Sequence, residues 1–211
     1  MQILSLESVD STQRYLLEAL KKGELSAPVC VHTSRQASGR GSRGNSWSGL
    51  EGNLFFSFAI ARSDLPDDLG LESSSIYFTF VLKELLSDMG SSLWLKWPND
   101  FYLGDKKIGG VITNLYNNTL VCGIGLNTKA APKGFGKLDI ETENEPLLEA
   151  YFTILKNPPS WKNVFRKYAL EFDKSRNYFT HSGETKISLE NATLLDDGSI
   201  ECGGKRIFSL R

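Results

Sequence analysis

The chain contains little cysteine and histidine. It has 3 cysteines and 2 histidines among 211 residues. Cys30, Cys122 and Cys202 lie far apart, without the spacing of metal ligands, and are interpreted as buried, reduced thiols. His32 and His181 are too few for a histidine-based metal site, and each is expected to be structural or exposed. The composition therefore argues against a zinc-type centre.

Charge of one sign and long apolar runs are also lacking. The 24 basic and 25 acidic side chains leave a net charge of -1, which gives no reason to expect nucleic acid or an anionic membrane as a partner. No apolar run approaches the roughly 20 residues needed to span a bilayer. The start, MQILSLESVDS, lacks the features of a signal peptide. A cytoplasmic enzyme is the expectation.

Residues 94–127 are unusually rich in polar side chains between apolar strand segments. These side chains are Lys96, Asn99, Asp100, Lys106, Lys107 and Asn127. A buried charge is costly unless an opposite charge or a coordinating group lies against it. The stretch therefore predicts a ligand site.

Proline and glycine shape the same stretch. Pro98 restricts Trp97 to extended geometry and is expected to end the strand, so that Asn99 and Asp100 would lie on the following turn. Four glycines occupy the next two predicted strands, at positions 109, 110, 123 and 125. Glycine inside a strand often marks the close approach of a bound molecule.

A second polar cluster, RQASGRGSRGNSWSG at 35–49, separates two apolar runs. Glycine frees backbone amides to form an anion-binding nest, and arginine can grip phosphate or carboxylate with two hydrogen bonds. Taken alone, such a loop is as readily a solvated segment or a nucleic-acid contact.

Together the two clusters resemble the biotin protein ligase family. The matching elements occur in the family's order: Ser11-Thr12, Gln36 with Gly39-Arg40-Gly41, Trp47, KWPND at 96–100, Lys107 with Gly109-Gly110, and GIGLN at 123–127. The resemblance covers roughly residues 5–128. It implies a ligase that activates biotin with ATP as biotinyl-5'-AMP and transfers biotin to a lysine of a biotin carboxyl carrier protein.

The resemblance also implies roles for individual residues. It assigns catalysis to Lys107 and Arg40, beside the biotin carboxylate and the α-phosphate. Residues implied to bind biotin are Ser11, Thr12, Gln13, Gln36, Gly39, Arg40, Gly41, Ser42, Lys107, Gly110 and Gly123. Residues implied to bind the nucleotide are Trp47, Asn99, Asp100 and Asn127, with Asp100 also at a magnesium ion carried by ATP. Taken singly, each has a plainer reading as a helix cap, core aromatic, turn or solvated lysine.

Three features depart from the family's pattern. Ser42 stands where an arginine is usual and Asn45 where another basic residue is frequent, so fewer cations are expected to hold the adenylate. Asn114 stands where glutamate is usual, which leaves the role of that acid open. The C-terminal tail is also shorter than usual.

Two other functions compete with this interpretation. A lipoate or octanoate protein ligase would share the fold, but its typical glycine-rich run followed by histidine and aspartate does not occur here. A non-catalytic biotin-binding regulator is the second alternative. Regulation through DNA is disfavoured, because Ser11-Thr12 lies so near the start that no helix-turn-helix would precede it. A monomer and a homodimer both stay open.

The apolar pattern predicts an α+β fold, with a mixed, largely antiparallel sheet covered by helices. Expected strands lie near 3–6, 28–33, 53–61, 93–97, 106–115 and 119–126, and expected helices at about 11–22, 72–89, 145–156 and 160–179. Asn117-Asn118 is a predicted hairpin turn. Residues 1–180 are expected to form the catalytic domain and residues 181–211 a small β-rich appendage.

Overall fold

The structure is a computed structural model that describes residues 1–41, 46–47, 49–183 and 185–209. Its helices are α1 (Thr12–Lys22), α2 (Ser74–Asp88), α3 (Asn144–Ile154) and α4 (Trp161–Glu171). The first nine strands are β1 (Gln2–Ser5), β2 (Val29–Thr33), β3 (Gly39–Arg40), β4 (Ser46–Trp47), β5 (Leu54–Ala61), β6 (Trp94–Lys96), β7 (Asp100–Leu103), β8 (Lys106–Tyr116) and β9 (Thr119–Leu126). The last five are β10 (Phe179–Ser182), β11 (Thr185–Ser188), β12 (Thr193–Leu194), β13 (Ile200–Cys202) and β14 (Lys205–Ile207).

Seven strands form the main sheet in the order β1-β2-β5-β9-β8-β7-β6. Only the first pair, β1 with β2, is parallel, and the remaining neighbours in this sheet are antiparallel. The predicted mixed, largely antiparallel α+β fold is therefore confirmed. Strand β9 occupies the centre, which places its glycines in the middle of the sheet.

Helix α1 begins and ends where the sequence predicts. Ser11 has extended backbone geometry, and its side chain accepts a hydrogen bond from the Arg14 amide, as an N-cap does. Gly23 ends the helix with φ 71°, a left-handed conformation that glycine adopts without the steric cost of a Cβ. Leu16 and Ala19 on this helix are buried.

The two faces of the main sheet pack differently. Helices α2, α3 and α4 cover one face, where the large core includes Phe56, Phe58, Cys122 and Ile124. Helix α1 covers part of the other face through a small cluster that contains Leu16, Val29, Val31, Ala59 and Val121. Because successive strand residues point to opposite faces, β9 contributes to both layers.

Two local expectations differ from the structure. Asp100 is the first residue of a strand, β7, rather than part of a turn, because it pairs with Gly110 across the sheet. Helix α4 ends at Glu171, and residues 172–175 form a 3-10 turn. The hairpin turn at Asn117-Asn118 is confirmed, with φ 52° at Asn117.

The predicted C-terminal β appendage is present as two small sheets, β10-β11 and β12-β13-β14. Its turn at 195–198 packs behind the main sheet. The indole nitrogen of Trp97 donates to the Gly198 carbonyl at 2.8 Å, and that of Trp161 donates to Asp196 at the same distance. The division into domains stays a prediction, and its boundary at 180 falls within β10. In the described part of the chain, no helix has the length and apolarity to cross a bilayer.

Candidate active site

A cavity opens on the sheet face that α1 leaves partly uncovered. Its walls come from the start of α1, the segment after β2, β4, β5 and strands β7 to β9. Predicted residues among the lining are Ser11, Thr12, Gln13, Gln36, Gly41, Trp47, Asn99, Asp100, Lys107, Gly110 and Gly123. Most of the residues predicted separately for biotin and for nucleotide therefore line one cavity.

Neutral hydrogen-bonding groups line one end of the cavity. The backbone amide of Thr12 donates to Oε1 of Gln36 at 2.9 Å, which ties the start of α1 to the segment after β2. The Thr12 hydroxyl also lies 2.9 Å from the hydroxyl of Ser57. Ser11 caps the helix and lines the cavity at once, so its structural and functional readings are compatible.

The side chain of Gln13 crosses from α1 to the sheet. Its Nε2 donates to the Val121 carbonyl at 3.1 Å and to Oδ1 of Asn114 at 3.0 Å. Its Oε1 is buried and has no hydrogen-bond partner among the described residues. A buried carbonyl oxygen without a donor is costly unless a ligand or water satisfies it.

Glycine keeps the floor of the cavity open. A Cβ atom at Gly123 would lie 2.5 Å from Oε1 of Gln13 and 3.1 Å from Oγ of Ser57. A Cβ at Gly125 would lie 2.8 Å from Nε1 of Trp47. Side chains of the protein itself, from Gln13, Ser57 and Trp47, therefore occupy the space beside these two glycines of β9, and the close approach of a bound molecule stays a prediction.

A cluster of charged groups forms the other end of the cavity. Nζ of Lys107 donates to Oδ1 of Asp100 at 2.6 Å, and Nζ of Lys96 lies 3.7 Å from Oδ2 of the same carboxylate. The three side chains are 14–29% exposed, so water screens them only in part. Lys107 presents its ammonium group to the cavity, which suits an anionic ligand.

Trp47 lies beside this charged end. Nζ of Lys107 lies 5.7 Å from the centre of the Trp47 ring, within cation–π range. The ring of Phe135 packs edge-on against Trp47 at 6.1 Å between centroids. The Trp47 indole N–H is buried and has no partner among the described residues.

Two predicted residues lie apart from the lining. Asn127 is fully buried, donates to the Gly136 carbonyl at 3.0 Å and accepts from Asn53 at 3.3 Å. This arrangement is structural, and a nucleotide contact for Asn127 stays a prediction. Gly39 lies so close to Gln36 and Trp47 that a Cβ atom there would have no room. The Arg40 side chain, Ser42 and Asn45 lie outside the described residues.

Asn99 lines the cavity but is also held by the sheet. The side-chain Nδ2 of Asn99 donates to the Val111 carbonyl at 2.6 Å, and the backbone carbonyl of Asn99 accepts from the Val111 amide at 3.1 Å. Asn99 therefore fixes the chain just before Asp100, whatever further contact it makes with a nucleotide.

No cysteine is among the described residues that line the cavity. Burial raises the pKa of the Cys30 thiol and that of the Cys122 thiol far above the usual value, which keeps both protonated and unreactive. Cys122 also points to the opposite, core face of the sheet. The prediction of buried reduced thiols holds for these two, whereas Cys202 is partly exposed.

The charged groups do not form a ready metal site. Across the described ranges, no three histidine, cysteine or acidic side chains come together as a set of metal ligands. Both oxygens of Asp100 face lysine ammonium groups. A magnesium ion at Asp100 would have to displace these contacts and obtain its other oxygen ligands elsewhere.

Sequence reasoning missed several lining residues. Ser57, Val111, Ile112 and Ile124 also border the cavity, as does Gly125, which the sequence marked as a strand glycine without assigning it to a ligand. Ser57 had a visible signal, since it is the single polar residue in the apolar strand LFFSFAIA. The aliphatic residues gave none, because ordinary core residues would produce the same pattern.

Comparisons with known proteins agree with this geometry. Residues 5–127 match the biotin/lipoate A/B protein ligase family. The chain is 37% identical over 131 residues to the bifunctional ligase/repressor BirA of Escherichia coli, and the match covers 58% of this chain and 39% of BirA. It is 27% identical over 128 residues to the biotin–[acetyl-CoA-carboxylase] ligase of Mycobacterium tuberculosis, covering 58% of this chain and 48% of that protein. The chain thus spans less than half the length of these two relatives.

A solved structure matches over nearly the whole chain. The biotin acetyl coenzyme A carboxylase synthetase of Helicobacter pylori, crystallised with biotinylated ATP, has a TM-score of 0.94 and 43% identity, covering 98% of this chain and 99% of that one. The Aquifex aeolicus biotin protein ligase, crystallised with biotin and ATP, has a TM-score of 0.69 and 26% identity over 100% of this chain and 98% of that one. The match to the family over residues 5–127, more than half of the chain, establishes that the chain belongs to the biotin/lipoate A/B protein ligase family.

Proposed function

We propose that the protein is an ATP-dependent biotin–[biotin carboxyl carrier protein] ligase. The observation that carries the proposal is the division of one cavity into a neutral polar end and an end that carries the ammonium group of Lys107. Biotin has a ureido ring, which needs neutral hydrogen-bond partners, and a carboxylate, which needs a cation. The relatives named for biotin and for acetyl-CoA carboxylase support the same choice.

The proposed reaction has two steps. A carboxylate oxygen of biotin attacks the α-phosphorus of ATP, and the bond to pyrophosphate breaks. The ε-amine of an acceptor lysine then attacks the acyl carbon of biotinyl-5'-AMP, and AMP leaves. No side chain of the enzyme needs to act as a nucleophile.

The first step brings two anions together, so it depends on positive charge already in place. Lys107 is the proposed catalytic cation, since its ammonium group faces the cavity and is restrained by Asp100 at 2.6 Å. A carboxylate of biotin would take over part of that contact. Arg40 is proposed to act with Lys107, as the resemblance implies.

The nucleotide is proposed to lie between Trp47 and the segment Asn99–Asp100, with the adenine stacked on the indole. Magnesium enters this proposal with the phosphates of ATP, which would supply most of its oxygen ligands. We place the reaction in the cytoplasm, because it consumes ATP and because all three cysteines are free thiols.

The decisive experiment uses the purified chain, ATP, magnesium chloride and an isolated biotin carboxyl carrier domain. Biotin should drive release of pyrophosphate, and the carrier should gain the mass of one biotinyl group. Lipoate and octanoate, supplied at the same concentration, test the nearest alternative. Modification of a carrier by lipoate but not by biotin would refute the proposal.

A further inference from the structure

The unpartnered oxygen of Gln13 is the most informative polar atom of the cavity. Gln13 is 3% exposed, and its Oε1 has no hydrogen-bond donor in the part of the chain that the structure describes. This oxygen faces the vacant position at Gly123, where a Cβ would approach it to 2.5 Å. Because Gln13 borders the cavity, a ligand bound there can supply the donor that this oxygen lacks.

The orientation of this amide is fixed by its surroundings. The carbonyl oxygen of Val121 can only accept, so the atom of Gln13 that lies 3.1 Å from it must be the nitrogen. Turning the amide over would place two carbonyl oxygens against each other. Oε1 must then point away from Val121 and toward Gly123.

Asn114 completes the arrangement from outside the cavity. Its Oδ1 accepts the second N–H of Gln13 at 3.0 Å. Asn114 is itself exposed and does not belong to the cavity lining. Both Gln13 N–H groups are thereby occupied, and a ligand meets only the oxygen.

Resting on the proposed function, we propose that Asn114 is a positioning residue for substrate specificity. It holds Gln13 so that Oε1 accepts a hydrogen bond from an N–H of the substrate. An acyl substrate with a ureido N–H satisfies this oxygen, whereas one with a purely apolar or sulfur ring leaves it buried without a donor. Asn114 thereby favours biotin over lipoate without touching either.

The first test measures biotin binding to the full chain by titration calorimetry. Asn114→Leu should bind biotin about 3- to 10-fold more weakly, which corresponds to the loss of one neutral hydrogen bond. Asn114→Asp keeps an acceptor at the same place and should bind like wild type. Asn118→Ala, at an exposed asparagine of the same hairpin, serves as the matched control and should leave biotin affinity unchanged.

Two further measurements separate positioning from general damage. In steady-state kinetics, Asn114→Leu should raise KM for biotin and leave KM for ATP unchanged. In a Gln13→Leu background, Asn114→Leu should cost nothing more, because the two residues act through one hydrogen bond. Two N-methylated biotins are tested, one for each ureido nitrogen. The isomer methylated at the nitrogen that faces Gln13 should bind wild type more weakly than biotin does. This difference from biotin should disappear in Asn114→Leu.

The outcomes are distinguishable. Equal biotin affinity for wild type and Asn114→Leu would overturn the inference, and so would equal losses in Asn114→Leu and Asn114→Asp. Independent, additive losses in the double variant would also contradict it. If wild type itself binds no biotin, the proposed function fails, and the inference that rests on it fails as well.

Discussion

Nζ of Lys107 lies 2.6 Å from Oδ1 of Asp100 at the charged end of the cavity. The carboxylate restrains the ammonium group before any ligand arrives, so less order has to be created when substrate binds. Nζ of Lys96 lies 3.7 Å from the other oxygen of Asp100 and helps to hold the carboxylate in place. The ammonium group of Lys107 is therefore charged and in position before substrate binds.

Replacing Lys107 with alanine should reduce adenylate formation by about a hundredfold or more, because the charge that lets carboxylate and α-phosphate approach is lost. Biotin-dependent pyrophosphate release measures this step directly. Lys106→Ala is the matched control, since the neighbouring lysine is exposed and outside the cavity lining. Near-normal release by Lys107→Ala would remove Lys107 from the mechanism.

Replacing Gly123 with alanine should weaken biotin binding by about tenfold or more. The added methyl group would lie 2.5 Å from Oε1 of Gln13 and 3.1 Å from Oγ of Ser57, so the polar end of the cavity must shift. Calorimetry with biotin gives the affinity. Cys122→Ala, on the opposite face of the same strand, should lower stability and leave biotin affinity intact. Loss of affinity in both variants would point to a general disturbance of β9.

Replacing Trp97 with phenylalanine should lower the free energy of unfolding by about 1–3 kcal/mol, because the buried Gly198 carbonyl loses its donor. Urea unfolding provides the measurement. Trp94→Phe is the comparison: its indole donates at 2.9 Å to Gly104, in an exposed turn where water can replace the bond. We expect the smaller loss there. Equal losses would show that the contact between Trp97 and the C-terminal turn contributes little.

Stability should decrease in mild acid because of His32. Burial lowers the pKa of His32, and the charge of Glu145 opposes that effect only in part. The unfolded chain then binds a proton at a higher pH than the folded chain does, so the free energy of unfolding falls as the pH drops from about 7 to about 5. His32→Gln should flatten this slope, measured by urea unfolding across that range.

The sequence could predict the elements whose signals are local. Ser11 and Gly23 bound α1 through cap chemistry, and the apolar run at 53–61 predicted a strand that is found at Leu54–Ala61. Strand β7 was missed because it is only four residues long and begins two positions after Pro98. Its pairing with Gly110 depends on the neighbouring strand rather than on its own composition.

In the site, too, only residues that are close in the sequence could be assigned together. Residues in compact motifs, such as Asp100 and Lys107, could be assigned together because they are only seven positions apart. The bond from Gln13 to Asn114 joins residues 101 positions apart, and only the folded sheet brings them together. Ser57 likewise reaches Thr12 across 45 positions.

Alternate residues of strand β9 face the hydrophobic core and the cavity. Leu120, Cys122 and Leu126 belong to the large core, whereas Gly123 and Gly125 face the cavity side. Ile124 belongs to the core and also borders the cavity. Point substitutions can therefore alter substrate choice while the core stays intact, which allows the two properties to evolve separately. Deleting a single residue from β9 would instead exchange the faces of every residue beyond it, placing glycines in the core and bulky side chains in the cavity. This strand should tolerate exchange of residues far better than any change in its length.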